Sequence, residues 1–436
     1  MTSQHRNGIL VAAFIGMAVV FLTYARPVSA IPSFSRRYQT SCTTCHVLPP
    51  KLNAFGHAFM NNGYRIPGGD EALVKQPDVS LGSPAWKQVW PKGVWPGAIP
   101  DRVPLSVAIE MVTDIAPHES VKLDFAFPEE VEFLAGGTLG ETFSYFGELA
   151  FEFADGETEV AFERGHLGMN NLLNTHLLNL SIGRIETRAA PFSRFTRRMT
   201  DADFIVSDFR AVPGAFRFRS RQQGIELWGA KNGPRGGGFE YGLGVVNGSG
   251  DANDNNSQKD FYASASYKFG GMGVLGPTKA LTALPSTEGY IDNSFSVGAF
   301  GYVGRTGAVP LTEIRHNRLG VKFDAWIDRL NLFGAYVHGR DRVLANPALQ
   351  SVPSNAYFVE ANVMALPWVM GILRYDQAIG PHDFLRVKRL VPGAALMLRA
   401  NIILSAEAQL FPGEGKNLYN GSDADSGGAV RLMFLF

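Results

Sequence analysis

With 436 residues the chain is long enough for more than one domain, and its 40 Lys plus Arg balance its 40 Asp plus Glu to a formal charge of zero. That balance carries no sign of a nucleic-acid partner, and beyond the N terminus no stretch is apolar enough to cross a membrane as a helix. The two cysteines exclude a disulfide scaffold, whereas 48 Gly, 31 Phe and 13 Tyr, set in short alternating segments, point to extensive β-structure.

In chain order, His5 and Arg6 precede an apolar run from Ile9 to Leu22, followed by a polar break and Val28-Ser29-Ala30. This pattern predicts a signal peptide over residues 1–30, cleaved to leave Ile31 first, because the run is shorter than the roughly 20 residues of a spanning helix. The next element is Cys42-Thr43-Thr44-Cys45-His46, which holds both cysteines of the chain. In C-x-x-C-H, two thiols on one turn bond the vinyl groups of a haem while the adjacent imidazole ligates its iron. One covalent haem c is therefore expected on Cys42, Cys45 and His46. A thioredoxin-like dithiol would need a surrounding βαβ pattern, and a zinc site would need a further ligand.

The segment 31–67 is too short to fold without a metal, disulfide or partner, so the haem is expected to act as its core. Lys51 to Asn62 suits a helix stopped by Asn62-Gly63, with His57 and Met60 three residues apart on one face and Phe55 and Phe59 able to cover the haem. The second axial ligand is open between His57, Met60, a later histidine (His166, His316 or His338) and no ligand at all. A His/Met pair raises the potential relative to two histidines. Residues 68–102 form a Pro-rich linker carrying Trp86, Trp90 and Trp95.

Residues 103–436 read as a transmembrane barrel. Strand candidates fall near 103–113, 119–127, 141–154, 157–165, 177–187, 203–211, 215–230, 238–247, 258–269, 292–303, 314–326, 329–338, 355–365, 368–377, 393–411 and 427–436. The expected fold is thus all-β, an outer-membrane antiparallel barrel of about 16 strands with the small helical haem segment packed in or at its mouth. In the last candidate, Val430, Leu432, Phe434 and Phe436 form an unbroken apolar face. The same period of two appears in Leu319–Ala325, and in Phe216–Arg221 with Arg217, Arg219 and Arg221 on one side. Turn-rich breaks include 247–256 and 270–289; Asp251, Asp254 and Asp260 offer either a cation site at an extracellular mouth or a solvated loop. A two-residue turn at Asp155-Gly156 sets Glu152 opposite Glu159 and Glu148 opposite Glu163, with Leu149, Phe151, Val160 and Phe162 facing lipid. Four carboxylates so close require compensation, from arginines such as Arg217, Arg219 and Arg221 or from cations.

The run Ile31-Pro32-Ser33-Phe34-Ser35-Arg36-Arg37-Tyr38, the motif Ser41-Cys42-Thr43-Thr44-Cys45-His46, and Leu52-Asn53-Ala54-Phe55-Gly56 with Phe59 and Asn62-Gly63-Tyr64 resemble the fused monohaem cytochrome–porins of Gram-negative outer membranes, of which the best known oxidise iron. The detailed likeness covers about residues 31–67; the remainder agrees in length, barrel pattern and ending. The resemblance implies an outer-membrane electron conduit, an Fe(II)-oxidising oxidoreductase in the known cases. It takes electrons from an extracellular donor and passes them to a periplasmic cytochrome or other electron carrier. It implies Cys42 and Cys45 as thioether anchors and His46 as proximal ligand; the positions of His57 and Met60 vary in the pattern, so no second ligand is carried over. Two other classes remain: a passive diffusion porin whose haem segment is a structural plug or redox gate, and an enzyme acting on a small molecule at an open haem coordination position.

Overall fold

The structure is a computed structural model that describes residues 32–436 except 71, 77, 81–87, 89–97, 101–102, 141, 155, 219–220, 251–253, 255, 286–290, 308–312, 344–350, 381–384, 413–416 and 420–421. The predicted signal peptide, Trp86, Trp90, Trp95, Asp155, Arg219 and Asp251 lie outside the described residues.

Sixteen long strands, each antiparallel to its neighbours, close into a barrel. They are β1 (Leu105–Ile115), β2 (Leu123–Leu139), β3 (Phe143–Ala154), β4 (Glu157–Met169), β5 (Asn179–Ile185) and β6 (Gln222–Asn232). There follow β7 (Gly238–Val246), β8 (Asp260–Gly270), β9 (Ser294–Thr306), β10 (Ile314–Ile327) and β11 (Leu330–Val343). The last are β12 (Val352–Leu366), β13 (Val369–Ile379), β14 (Arg386–Arg399), β15 (Ile402–Gln409) and β16 (Gly427–Leu435). Closure comes from β16 pairing with β1, Leu432 opposite Met111 and Phe434 opposite Ile109. Alternation decides which face looks inward: on β10, Leu319 and Val321 are 66% and 56% exposed, whereas Arg318 between its neighbours is 2% exposed. Apolar side chains on the outside and charges on the inside suit a barrel wetted within and bathed in lipid without.

Two expectations fail, and their errors cancel in the strand count. Residues 203–211 are not a strand: they belong to a long connection, 186–221, that leaves β5, enters the lumen and returns to β6. It includes one short helix, Ile205–Asp208. The apolar residues there face the lumen filling rather than lipid, with Phe204 stacked on Phe358 at 4.6 Å and Phe216 on Tyr302 at 4.1 Å. Phe216 and Phe218 therefore belong to the lumen filling rather than to a wall strand, and β6 begins only at Gln222. Conversely, 393–411 is not one strand but the end of β14 and all of β15, which turn at 400–401.

The N-terminal segment fills the lumen from the end that carries the start of β1 and the finish of β16. Its helices are α1 (Ser33–Tyr38) and α2 (Ala54–Asn61). The Ser33 N–H donates to Ser106 Oγ at 2.8 Å on β1, Tyr64 stacks on Phe146 of β3, Asn61 donates to Glu240 of β7, and Lys51 Nζ donates to Asn362 Oδ1 of β12 at 3.0 Å. Partners spread so widely around the ring place the segment inside the barrel. Its own core gathers Tyr38, Phe55, Phe59, Ile66 and Leu73, and Tyr38 Oη donates to Asp70 Oδ2 at 2.9 Å, so the packed unit runs past residue 67. In the linker, Asp78–Ser80 pairs antiparallel with Ala98–Pro100. The 186–221 connection meets the segment from the opposite end, with the Leu52 N–H donating to the Thr196 carbonyl at 3.0 Å and Val47 and Leu48 packed on Met199.

Candidate functional site

The turn that bears the two cysteines is a single 3-10 turn, Cys42–Thr44, closed by the Cys45 N–H on the Cys42 carbonyl at 3.2 Å. Beyond it, His46–Leu48 and Lys51–Leu52 form a minimal hairpin around Pro49-Pro50. His46 Nδ1 lies 3.1 Å from the Pro50 carbonyl. A carbonyl only accepts, so Nδ1 carries the proton and Nε2 keeps its lone pair. Burial holds the imidazole neutral, lowering its pKa to about 4, and pushes the Cys45 thiol up to about 12 and the Cys42 thiol upward too. Cys42, Cys45 and His46 all border one cavity of about 750 Å³, in the range of small-molecule and cofactor sites.

Two residues without reactive groups shape this turn. The Asn53 side chain donates to the Thr43 and Thr44 carbonyls at 3.2 and 3.1 Å and accepts from the Gly56 N–H at 2.9 Å, capping α2 against the turn. Gly56 then packs so closely that a Cβ at this position would lie 2.1 Å from the Cys45 carbonyl oxygen. Sequence reasoning missed both roles; the signal present was a glycine inside a helical stretch directly after a good N-cap residue.

The structure separates the two candidates placed on α2. Gly56, Phe59 and Met60 border the cavity of the cysteines, whereas His57 and Asn61 border a second cavity of about 350 Å³ on the other side, which Met60 also touches. Burial and then Arg197 lower the His57 pKa to about 3. The other histidines stand elsewhere. His166 borders the second cavity, His316 lies 3.2 Å from Asp260, and His338 lies 3.0 Å from Asn355. On the barrel wall, Met433 of β16 also borders the cysteine cavity.

The pairing of β3 with β4 has the expected Glu152–Glu159 register, but a bulge after Glu148 sets Glu148 opposite Arg164 rather than Glu163. Arg164 pairs with Glu148, and Arg221, from the end of the inserted connection, pairs with Glu163. Arg217 is spent within that connection, on Asp208 at 3.0 Å. Compensation by arginine thus holds for Glu148 and Glu163. The carboxylate row continues beyond the hairpin, because Glu152 faces Glu130 and Glu130 faces Glu110, forming a ladder across β1 to β4 along the cavity wall. Reading 119–127 as a strand that ended before Glu130 hid this extension; β2 runs to Leu139. Asp260 is not a mouth residue either: it is fully buried and receives the Tyr302 hydroxyl at 2.8 Å. Among the described residues, no group of three or more His, Cys, Asp or Glu is arranged to hold a metal ion.

A closed 16-stranded antiparallel barrel with a connection folded into its lumen after the fifth strand defines the porin class of fold. No protein-family model matches the chain, and no curated protein matches it. Among solved structures, the anion-selective porin from Comamonas acidovorans is similar at a TM-score of 0.54 and 11% identity, over 76% of this chain and 98% of that one. Salmonella typhi OmpF, in complex with daunomycin, is similar at 0.52 and 15% identity, over 76% and 97%. The Vibrio cholerae outer membrane protein OmpT in its trimer form gives 0.50 and 12%, over 76% and 98%. At such identities the likeness establishes the porin-type barrel itself.

Proposed function

We propose that this chain is an outer-membrane barrel that carries one covalent haem c in its lumen on Cys42, Cys45 and His46. In this reading it conducts electrons from an extracellular donor such as Fe(II) to a periplasmic cytochrome or other carrier. The observation that carries the reading is the convergence of both thiols and a histidine, its Nε2 lone pair free, on one large cavity inside the barrel. The residues present fit the group: Phe34, Phe59 and Ile66 supply an apolar wall, and Arg194, Arg198 and Arg431 supply charges suited to carboxylate side groups. Bound haem c supplies a one-electron couple whose potential follows its axial ligands and burial.

The ends of the barrel bear on its orientation. Short turns mark the periplasmic side of such barrels and long connections the extracellular side, which supports a periplasmic position for the mouth that the N-terminal segment fills. Glu152 and Glu159 flank the β3–β4 turn at the opposite end, and the carboxylate ladder borders the same cavity as the cysteines. Carboxylates attract hard divalent cations. The diffusion-porin reading draws on the fold comparisons, but the two insertions meet across the lumen at Leu52 and Thr196, where an open porin has water.

The test uses protein in sealed vesicles with an enclosed electron acceptor. Fe(II) added on the extracellular side should reduce that acceptor, and His46→Ala should abolish reduction while barrel remains in the membrane. If both proteins pass sugars freely and neither passes electrons, the diffusion porin replaces this reading.

A further inference from the structure

We propose that Met60 is the second axial ligand of the haem, an inference that rests on the haem reading above. Among the described residues bordering the cavity of Cys42, Cys45 and His46, the only further thioether or imidazole side chains are Met60 and Met433. His57 faces the other cavity, and His166, His316 and His338 do not reach this one.

Attachment decides between the two methionines. Helix α2 is tied to the cysteine turn by Asn53, through the Thr43 and Thr44 carbonyls, and by the close contact of Gly56 with the Cys45 carbonyl. Met60 follows Gly56 by four residues, one turn along the same stripe. Long side chains on a helix lean back over the residue four positions earlier. Here that residue is Gly56, itself packed on the Cys45 carbonyl and the Leu52 side chain, so the helix stripe that carries Met60 is seated directly on the turn that leads to the proximal histidine, and both border the same cavity. Met433 sits instead in the β16 ladder opposite Glu110 and Ile403, fixed to the wall rather than to the motif. Thioether–imidazole ligation raises the potential relative to two imidazoles, which suits a carrier that accepts electrons from a weak reductant.

Purified holoprotein tests the assignment by haem staining, ferric charge-transfer absorption, magnetic circular dichroism and carbon monoxide binding to the ferrous form. Wild type should show the thioether–imidazole signature and exclude carbon monoxide. Met60→Ala should keep its covalent haem, lose that signature and bind carbon monoxide stoichiometrically. Met60→His should stay six-coordinate with a bis-imidazole spectrum and a lower midpoint potential, and His57→Ala should match wild type. Retention of the signature in Met60→Ala, or its loss in Met433→Ala, overturns the proposal. A wild-type chain without covalent haem overturns the haem reading as well; a stained chain whose spectra ignore Met60 overturns only the ligand.

Discussion

Asn53 and Gly56 hold the cysteine turn against α2. Adding one methyl group at Gly56 meets the Cys45 carbonyl at 2.1 Å, and because that neighbour is backbone, α2 has to move away from the turn. On the haem reading proposed above, Gly56→Ala should therefore lower covalent haem per barrel severalfold, read as haem stain against total protein, while the barrel still folds. Asn53→Ala strips hydrogen bonds from the Thr43 and Thr44 carbonyls and from the Gly56 N–H, a loss of about 1–3 kcal/mol for each group left buried without a partner. Asn53→Asp keeps the acceptor for Gly56 but turns a carboxylate oxygen toward both carbonyls in a buried position, so on the same reading its haem loading should fall at least as far as that of Asn53→Ala. That Cys42, Cys45 and His46 stand together on one cavity was legible because C-x-x-C-H keeps them adjacent in sequence. The supporting pair was not, because packing against a carbonyl is a property of two segments brought together rather than of either one.

At the level of elements, strands were legible wherever lipid and water divide the two faces, as in β10 and β16. They were misread wherever the lumen contents supplied an apolar surround of their own. Phe204, Phe209, Phe216 and Phe218 satisfy the hydrophobic pattern of a wall strand, yet they pack inside the barrel, and no local periodicity separates the two cases. The β3–β4 bulge was equally invisible, since one extra residue shifts every later partner without changing composition. It also frees Glu163 to meet Arg221, a pair with side chains only 7% and 9% exposed. Arg221→Ala leaves a buried carboxylate alone, and its urea unfolding in detergent should show a loss of about 3–5 kcal/mol. Adding Glu163→Gln to that variant should recover much of the loss; additive effects would mean that the two groups are not coupled.

For the whole molecule, two insertions enter the barrel from opposite ends and meet within the lumen, the Leu52 N–H on the Thr196 carbonyl and Val47 and Leu48 against Met199. Lys51 fastens the N-terminal insertion to the wall: it is fully buried, donates to Asn362 of β12 at 3.0 Å, and lies over the Phe333 ring of β11 at 4.4 Å. Burial, with Arg197 nearby, lowers its pKa to about 7, against about 10.4 for a free lysine. Between those values the released segment binds more protons than the docked one, so docking strengthens as pH rises from about 7 and becomes independent of pH below that value. Hydrogen-bonded barrel walls resist denaturant better than a segment of this size, so moderate urea should release residues 32–76 first. In planar bilayers the intact protein should conduct poorly, then step to a large conductance at a urea concentration that increases between pH 7 and pH 9. Lys51→Met removes the titrating group and should flatten that dependence on pH. High conductance without urea would mean that the lumen is open despite its two insertions.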